Sequence, residues 1–157
     1  MQTLGTCLWF DDQAEAAAAF YTSIFKNARI LGTTRYPEGS PRPTGTVMTV
    51  QFELDGQTFT ALNGGPHYPF TPAISFMVNC DTQADIDCLW EQLGTGGTEV
   101  ACGWITDKFG VSWQILPATL LQMMHDPDTA ASQRAFSAML QMKKLDIARL
   151  EQAFRGA

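Results

Sequence analysis

The stretch TVMTVQFELDGQTFTALN, residues 46–63, carries the clearest structural signal in the chain. Apolar and polar residues alternate through residues 46–54, which is the period of a strand with one buried face. Asp55-Gly56 is the dipeptide that most strongly favours a two-residue hairpin, so residues 57–63 return as the partner strand. The sequence therefore predicts an antiparallel hairpin here.

The same order of elements occurs twice around this hairpin. The apolar run 5–10 predicts a buried strand, residues 13–25 predict a helix capped by Asp11 or Asp12, and residues 28–36 predict a second strand. After Pro69 the order begins again, with a strand at 73–80, a helix at 82–93 and strands at 98–104 and 111–116. Both halves therefore read as βαβββ units, although the second lacks one clear strand.

The end of the chain has a helical pattern. Residues 118–124 predict a helical turn, Asp126-Pro127-Asp128 predicts a helix cap, and residues 129–154 predict one or two helices. Their apolar positions indicate packing across a partner subunit or over a sheet edge. We therefore expect a domain at 1–120, with modules at about 1–65 and 70–120, and a helical extension at 121–157.

Composition excludes several classes of partner. The 157 residues are 45% hydrophobic and 17% charged, which is enough apolar material for a packed core. The net charge of −6 argues against nucleic acid, because phosphate contacts need Lys or Arg and only 10 are present. No apolar run is long enough for a membrane span and no secretory signal is visible, so we expect a cytoplasmic protein.

The 4 cysteines form no CxxC pair and match no zinc-site spacing. In a cytoplasmic chain they should be reduced. We interpret Cys7 and Cys88 as small buried apolar side chains. Cys102, beside Gly103, is the one with functional interest, although a buried structural thiol is the simpler interpretation.

Four long blocks carry a family resemblance: LWFDDQAEAAAAFY, DGQTFTALNGGPHYPFTPAISFMVNC, CGWITDKFGVSWQILP and MLQMKKLDIARLEQAF. Together they resemble the PhnB-like, 3-demethylubiquinone-9 3-methyltransferase-like branch of the vicinal oxygen chelate (glyoxalase/bleomycin resistance/dioxygenase) superfamily. The resemblance implies an α+β fold in which paired βαβββ modules form a curved mixed sheet around a cavity, followed by C-terminal helices. It also implies a homodimer.

The methyltransferase name does not match the sequence. A Rossmann-type methyltransferase has a glycine-rich loop between its first strand and helix, so that backbone can approach the ligand. Here the first strand is followed by Phe10-Asp11-Asp12-Gln13, which contains no glycine. We therefore interpret the name as an inherited label and predict no cofactor.

The superfamily resemblance also implies a divalent metal held by His, Gln or Glu, and this sequence lacks such a set. The first strand offers only Gly5 to Leu8, and the second module opens with Ala73, Ile74 and Ser75. The last strand of the first module offers Thr60 and Asn63, and in the last strand of the second the glutamate position implied by the resemblance falls on or beside Gln114. Neutral donors of this kind hold a metal weakly against water, so we predict no catalytic metal.

We expect a cavity that binds a small organic molecule, with Gln114 pointing into it. No nucleophile–base set is evident, since Cys102 with His67 is the one conceivable thiol–imidazole pair, and Asp107 reads as a turn cap. The alternative is a glyoxalase- or dioxygenase-type enzyme acting on an oxygen-rich small substrate with ligands from loops or a partner subunit. The predicted ligand-binding residues are Trp9, Asn63, His67, Phe76, Cys102, Trp104 and Gln114.

Overall fold

The computed structural model describes residues 1–157, with eight strands and five helices. The strands are β1 (Thr6–Phe10), β2 (Ala28–Arg35), β3 (Val47–Leu54), β4 (Gln57–Asn63), β5 (Ser75–Cys80), β6 (Thr98–Glu99), β7 (Trp104–Thr106) and β8 (Ser112–Pro117). The helices are α1 (Ala14–Ile24), α2 (Gln83–Gly94), α3 (Leu120–Met124), α4 (Thr129–Leu140) and α5 (Ile147–Arg155).

The first compact unit spans Met1–Phe70 and is a βαβββ module. Its four strands lie in the order β1-β4-β3-β2, with β1 parallel to β4 and the other pairs antiparallel. The predicted hairpin is confirmed, because β3 and β4 pair from Leu54↔Gln57 outward around Asp55-Gly56. Asp55 and Gly56 both have positive φ, the conformation that a type I′ turn requires.

The second unit spans Thr71–Ala157 and begins with the same arrangement, in the order β5-β8-β7-β6 with β5 parallel to β8. The sequence analysis missed one strand here. The predicted strand 98–104 is two strands, because Cys102 and Gly103 both have positive φ and turn the chain back on itself. A Cβ at Gly103 would lie 2.8 Å from the carbonyl oxygen of Ile115, so glycine also permits the close approach to β8.

The predicted cap of α1 was wrong. Gln13 occupies the N-cap position and makes no side-chain cap, and neither Asp11 nor Asp12 replaces it. Instead the N–H of Ala14 donates to Asn63 Oδ1 at 2.8 Å, from the end of β4. The Asn63 amide nitrogen donates to Val47 O at 3.1 Å and to Glu15 Oε1 at 2.7 Å. A long-range residue therefore satisfies an N–H that helices usually satisfy locally.

The C-terminal helices pack on the second unit itself. Met142, Leu145 and Leu150 form an apolar cluster with Leu116 of β8 and Leu120 of α3. The predicted cap at Asp128 is confirmed, since its side chain accepts from Ala131 N, and the region 129–154 forms two helices, α4 and α5. None of the helices is both long and apolar enough to cross a membrane.

We predict that Asn63→Ala destabilises the protein by about 2–4 kcal/mol, because it leaves the buried Ala14 N–H and Val47 carbonyl without their partner. Asn63 is 5% exposed, so water cannot replace the amide freely. Equilibrium unfolding in urea measures the change. The matched control is Asn79→Ala at an exposed position of β5, which should change the free energy of unfolding by less than about 0.5 kcal/mol. Equal effects of the two variants would contradict the assigned role of Asn63.

Candidate functional site

The second sheet packs one face against α2 and presents the other face away from that helix. Ile105 contacts Gly94 of α2, and its register partner Trp113 lies on the same side. Alternation then places Gln114 on the opposite side, with its partners Met77 and Trp104. We call this surface the face opposite α2. Its residues are Ser75, Met77, Asn79, Thr98, Trp104, Thr106, Ser112, Gln114 and Leu116. The C-terminal cluster described above covers the face at Leu116.

Gln114 lies at the centre of the face opposite α2. Its amide nitrogen donates to Ser75 Oγ at 2.9 Å, which leaves the amide oxygen available as an acceptor. Both side chains are half-buried, and Trp104 lies directly across from Gln114 on β7. This arrangement joins an amide, a hydroxyl and an aromatic ring, a combination typical of small-molecule sites.

A row of hydroxyl groups crosses the same face. Register places Ser75, Ser112, Thr106 and Thr98 side by side on β5, β8, β7 and β6, and we call these four the hydroxyl row. Ser112 is 2% exposed and its Oγ has no hydrogen-bond partner. Buried hydroxyls are normally paired, so the centre of the row has unused hydrogen-bonding capacity. The row was not predicted from the sequence, although the alternation of Ser112 with Gln114 along β8 was a signal for it.

The first sheet is arranged in the same way. Phe52 of β3 contacts Tyr21 of α1, with ring centroids 6.0 Å apart, so Phe52 lies on the α1 side of the sheet. Side chains alternate along each strand, and those that point away from α1 form what we call the face opposite α1. On this face Cys7 of β1 lies beside Thr60 of β4. Cys7 is exposed, so the expectation that it is buried was wrong, and the same holds for Cys88. Partial burial still raises the pKa of the Cys7 thiol, which favours its neutral form.

Trp9 and His67 lie near one another in the first unit. Trp9 Nε1 donates to Gly65 O at 2.9 Å, and its ring covers Gly64 so closely that a Cβ there would lie 2.3 Å from it. Tyr68 packs edge-on against Trp9 at 5.0 Å, and exposed His67 contacts Tyr68 at 6.5 Å. These contacts hold the loop after β4 against the face opposite α1.

Three other predicted site residues have different surroundings. Asn63 makes the buried hydrogen bonds at the start of α1 described above. Phe76 lies on the α2 side of its sheet, where its ring contacts Trp113 at 5.3 Å. Cys102 is half-buried in the turn between β6 and β7, where its N–H donates to Met142 O. The structure brings Gln114 and Trp104 together and leaves these three outside the faces opposite α1 and α2.

Asp107 has a structural position, as the sequence indicated. Its carboxylate accepts from the N–H groups of Phe109 and Val111, which fixes the turn before β8. The same carboxylate accepts from Trp113 Nε1 at 2.9 Å, so Trp113 is held on the α2 side. These contacts orient β8 and thereby set the direction of Gln114.

The donor set does not fit a divalent metal. No group of three or more His, Cys, Asp or Glu side chains in the structure lies close enough together to hold one. At the positions where the superfamily resemblance implies ligands, the face opposite α1 offers the Cys7 thiol and the Thr60 hydroxyl. The face opposite α2 offers Ser75 and Gln114. Neutral hydroxyl, amide and protonated thiol groups are poor ligands for catalytic zinc, iron or manganese.

Comparisons with known proteins address the fold and the family. A family model described as 3-demethylubiquinone-9 3-methyltransferase matches residues 2–116. A solved PhnB protein from Bacillus cereus is 36% identical, with a TM-score of 0.68, and the match covers 74% of this chain and 100% of that one. No curated protein matches the sequence.

More distant structures share the fold alone. A protein from Pseudomonas aeruginosa is 19% identical with a TM-score of 0.62, over 74% of this chain and 98% of that one. The fosfomycin resistance protein FosX from Mesorhizobium loti is 14% identical with a TM-score of 0.56, over 80% of this chain and 98% of that one. The predicted α+β fold of two βαβββ modules is thereby confirmed. The chain belongs to the 3-demethylubiquinone-9 3-methyltransferase family, of which the Bacillus cereus PhnB protein is a solved member.

Proposed function

We propose that the protein binds a small organic molecule through neutral hydrogen-bonding groups and without a catalytic metal. The observation that carries the proposal is the pair formed by Gln114 and Ser75 on the face opposite α2. Ser75 uses the donor side of the Gln114 amide and leaves its oxygen able to accept from a ligand hydroxyl or amine. The Ser75 hydroxyl can in turn donate its own proton to a ligand carbonyl.

Apolar neighbours supply the rest of the binding energy in this proposal. Trp104 lies across from Gln114 on one side, and Met77 lies across from it on the other. Met77 is 60% exposed, so a ligand can cover its thioether without displacing packed core. An aromatic ring and a flexible thioether beside a few polar groups suit an aromatic or alicyclic ligand.

Methyl transfer has no support in the geometry. β1 ends at Phe10 and α1 begins at Ala14, with no glycine between them. The N–H of Ala14, the first residue of α1, donates to the Asn63 side chain and so does not face a ligand. Both sheets are mixed and of four strands, unlike the doubly wound parallel sheet that binds nucleotides at helix N-termini.

The second candidate is a metal-dependent enzyme of the glyoxalase or dioxygenase type that acts on an oxygen-rich substrate. The observation in its favour is the fold shared with FosX, which is a fosfomycin resistance protein. This candidate requires charged or imidazole ligands from outside the faces described above. The side chains available to coordinate a metal therefore distinguish the two candidate functions better than the shared fold does.

The binding proposal predicts that Gln114→Leu weakens ligand binding. The probe is a library of aromatic compounds carrying hydroxyl or carbonyl groups, screened by saturation-transfer NMR against the full chain. We expect hits to lose about five- to tenfold in affinity in the variant, because one net hydrogen bond is lost. Gln122→Leu, at an exposed position of α3, is the matched control and should retain affinity. A library without hits, or hits indifferent to Gln114→Leu, would contradict the proposal.

The metal-free proposal predicts that the purified protein does not retain a stoichiometric metal. Calorimetric titration with Zn²⁺, Ni²⁺, Mn²⁺ and Fe²⁺ should show no binding tighter than about millimolar, since the available donors are neutral. Gln114→Glu adds one carboxylate, which should strengthen binding measurably but fall short of a competent site. One equivalent of metal that survives chelation would contradict the metal-free proposal and support the second candidate instead.

We further propose that the protein is a homodimer in the cytoplasm. Its cysteines are unpaired, which agrees with a reducing compartment. Ile74 is 74% exposed immediately before β5, an edge strand, and an edge with exposed apolar groups favours pairing with another chain.

The dimer proposal predicts twice the 17.3 kDa chain mass by light scattering at micromolar concentration. Ile74→Asp should shift the mass toward one chain, because it places a charge in the apolar contact. Thr71→Asp, at an exposed position of the same segment, is the control that should leave the mass unchanged. The Thr71 hydroxyl accepts from Ala73 N, and an aspartate can accept from the same N–H. A single-chain mass for the unaltered protein would show that the proposal is wrong.

A further inference from the structure

We infer that the site selects an uncharged ligand whose oxygen atoms are bound by Gln114 and the hydroxyl row. This inference rests on the proposed function and adds the chemical class of the ligand. It is carried by what the face opposite α2 contains and by where the nearby charges lie. Three observations support it.

The first observation is that no residue of the face opposite α2 is charged. Two acidic groups next to these strands make their contacts on the other side of the sheet. Glu99 accepts from Trp90 Nε1 of α2 at 2.8 Å, and Asp107 accepts from Trp113 Nε1 at 2.9 Å. The Lys108 ammonium lies 5.4 Å from the centre of the Phe109 ring, in the turn before β8. A ligand charge on this face therefore meets no opposite charge on the face itself, and its desolvation is uncompensated.

The second observation is that the protein carries a net charge of −6, which adds a weak repulsion of anions.

The third observation is the unsatisfied centre of the hydroxyl row. Ser112 Oγ is buried without a partner, and half-buried Ser75 and Thr106 stand on either side of it. Hydroxyl groups both donate and accept, so the row can bind carbonyl, ether and alcohol oxygens alike. They do not neutralise a carboxylate or a phosphate, which requires Arg, Lys or several backbone N–H groups. The row therefore favours ligands with several neutral oxygen atoms.

Three probes with one ring and one phenol test the inference: 4-hydroxybenzyl alcohol, 4-hydroxybenzoate and 4-hydroxybenzylamine. At pH 7 they are neutral, anionic and cationic, and their affinities can be compared by NMR titration of the unaltered chain. We expect the neutral probe to bind at least about tenfold more tightly than either ion, because an unpaired charge pays its desolvation.

The matched variants are Gln114→Lys on the face opposite α2 and Gln122→Lys on α3. Gln114→Lys should reverse the preference toward 4-hydroxybenzoate, whereas Gln122→Lys, which changes the net charge equally, should preserve it. The inference would be overturned if the benzoate or the benzylamine bound the unaltered protein as tightly as the alcohol and lost affinity in Gln114→Leu. The proposed function would still stand in that case. If none of the three probes binds at concentrations up to 10 mM, the inferred class of uncharged, oxygen-bearing ligand is rejected. The proposed function is then decided separately by the NMR screen of aromatic compounds described above. The comparison on the unaltered chain remains decisive even if Gln114→Lys fails to fold.

Discussion

The parallel pairing between the first and last strand of each unit is the constraint on which the rest of the structure depends. In each βαβββ module the helix crosses over one face of the sheet, and the first strand joins the sheet beside the last strand. That pairing brings Cys7 beside Thr60 in one unit and Met77 beside Gln114 in the other. Residues more than thirty positions apart therefore share a surface that no local pattern places together.

Sequence patterns predicted the strands and helices well where neighbouring residues determine the turn or the strand face. Asp55-Gly56 fixed the register of β3 and β4, and alternation in β8 correctly separated Gln114 from Trp113. Contacts between residues far apart in the sequence could not be predicted in the same way. Asn63 caps α1 across forty-nine residues, and no spacing rule connects the two. The turn at Cys102 was hidden because a non-glycine residue adopts positive φ there, next to the glycine that the sequence did reveal.

The candidate site was predictable in part for the same reason. Strand period and the family resemblance could place Gln114 on one face, whereas Trp104 was one of several aromatic residues that suited a pocket wall, and its place beside Gln114 came from the register. Ser75 became part of the site only through its hydrogen bond to Gln114, and Ser112 only through the absence of a partner. Asn63 and Phe76 looked equally suitable in sequence, because a strand-end amide and a strand aromatic serve packing as readily as binding. Their actual contacts are with α1 and with Trp113.

A shared fold imposes a geometry but not a chemistry. The strand positions that face away from α1 and α2 exist whatever side chains occupy them, and here they carry a thiol, hydroxyls and an amide. Each of these groups is neutral at pH 7, so attraction for a cation is lost while the capacity to orient oxygen atoms is kept. Unpaired hydroxyl groups in the interior cost stability, and Ser112 is such a group at the centre of the row. Its neighbours Ser75 and Thr106 are half-buried, so they are the more accessible hydroxyl groups beside it.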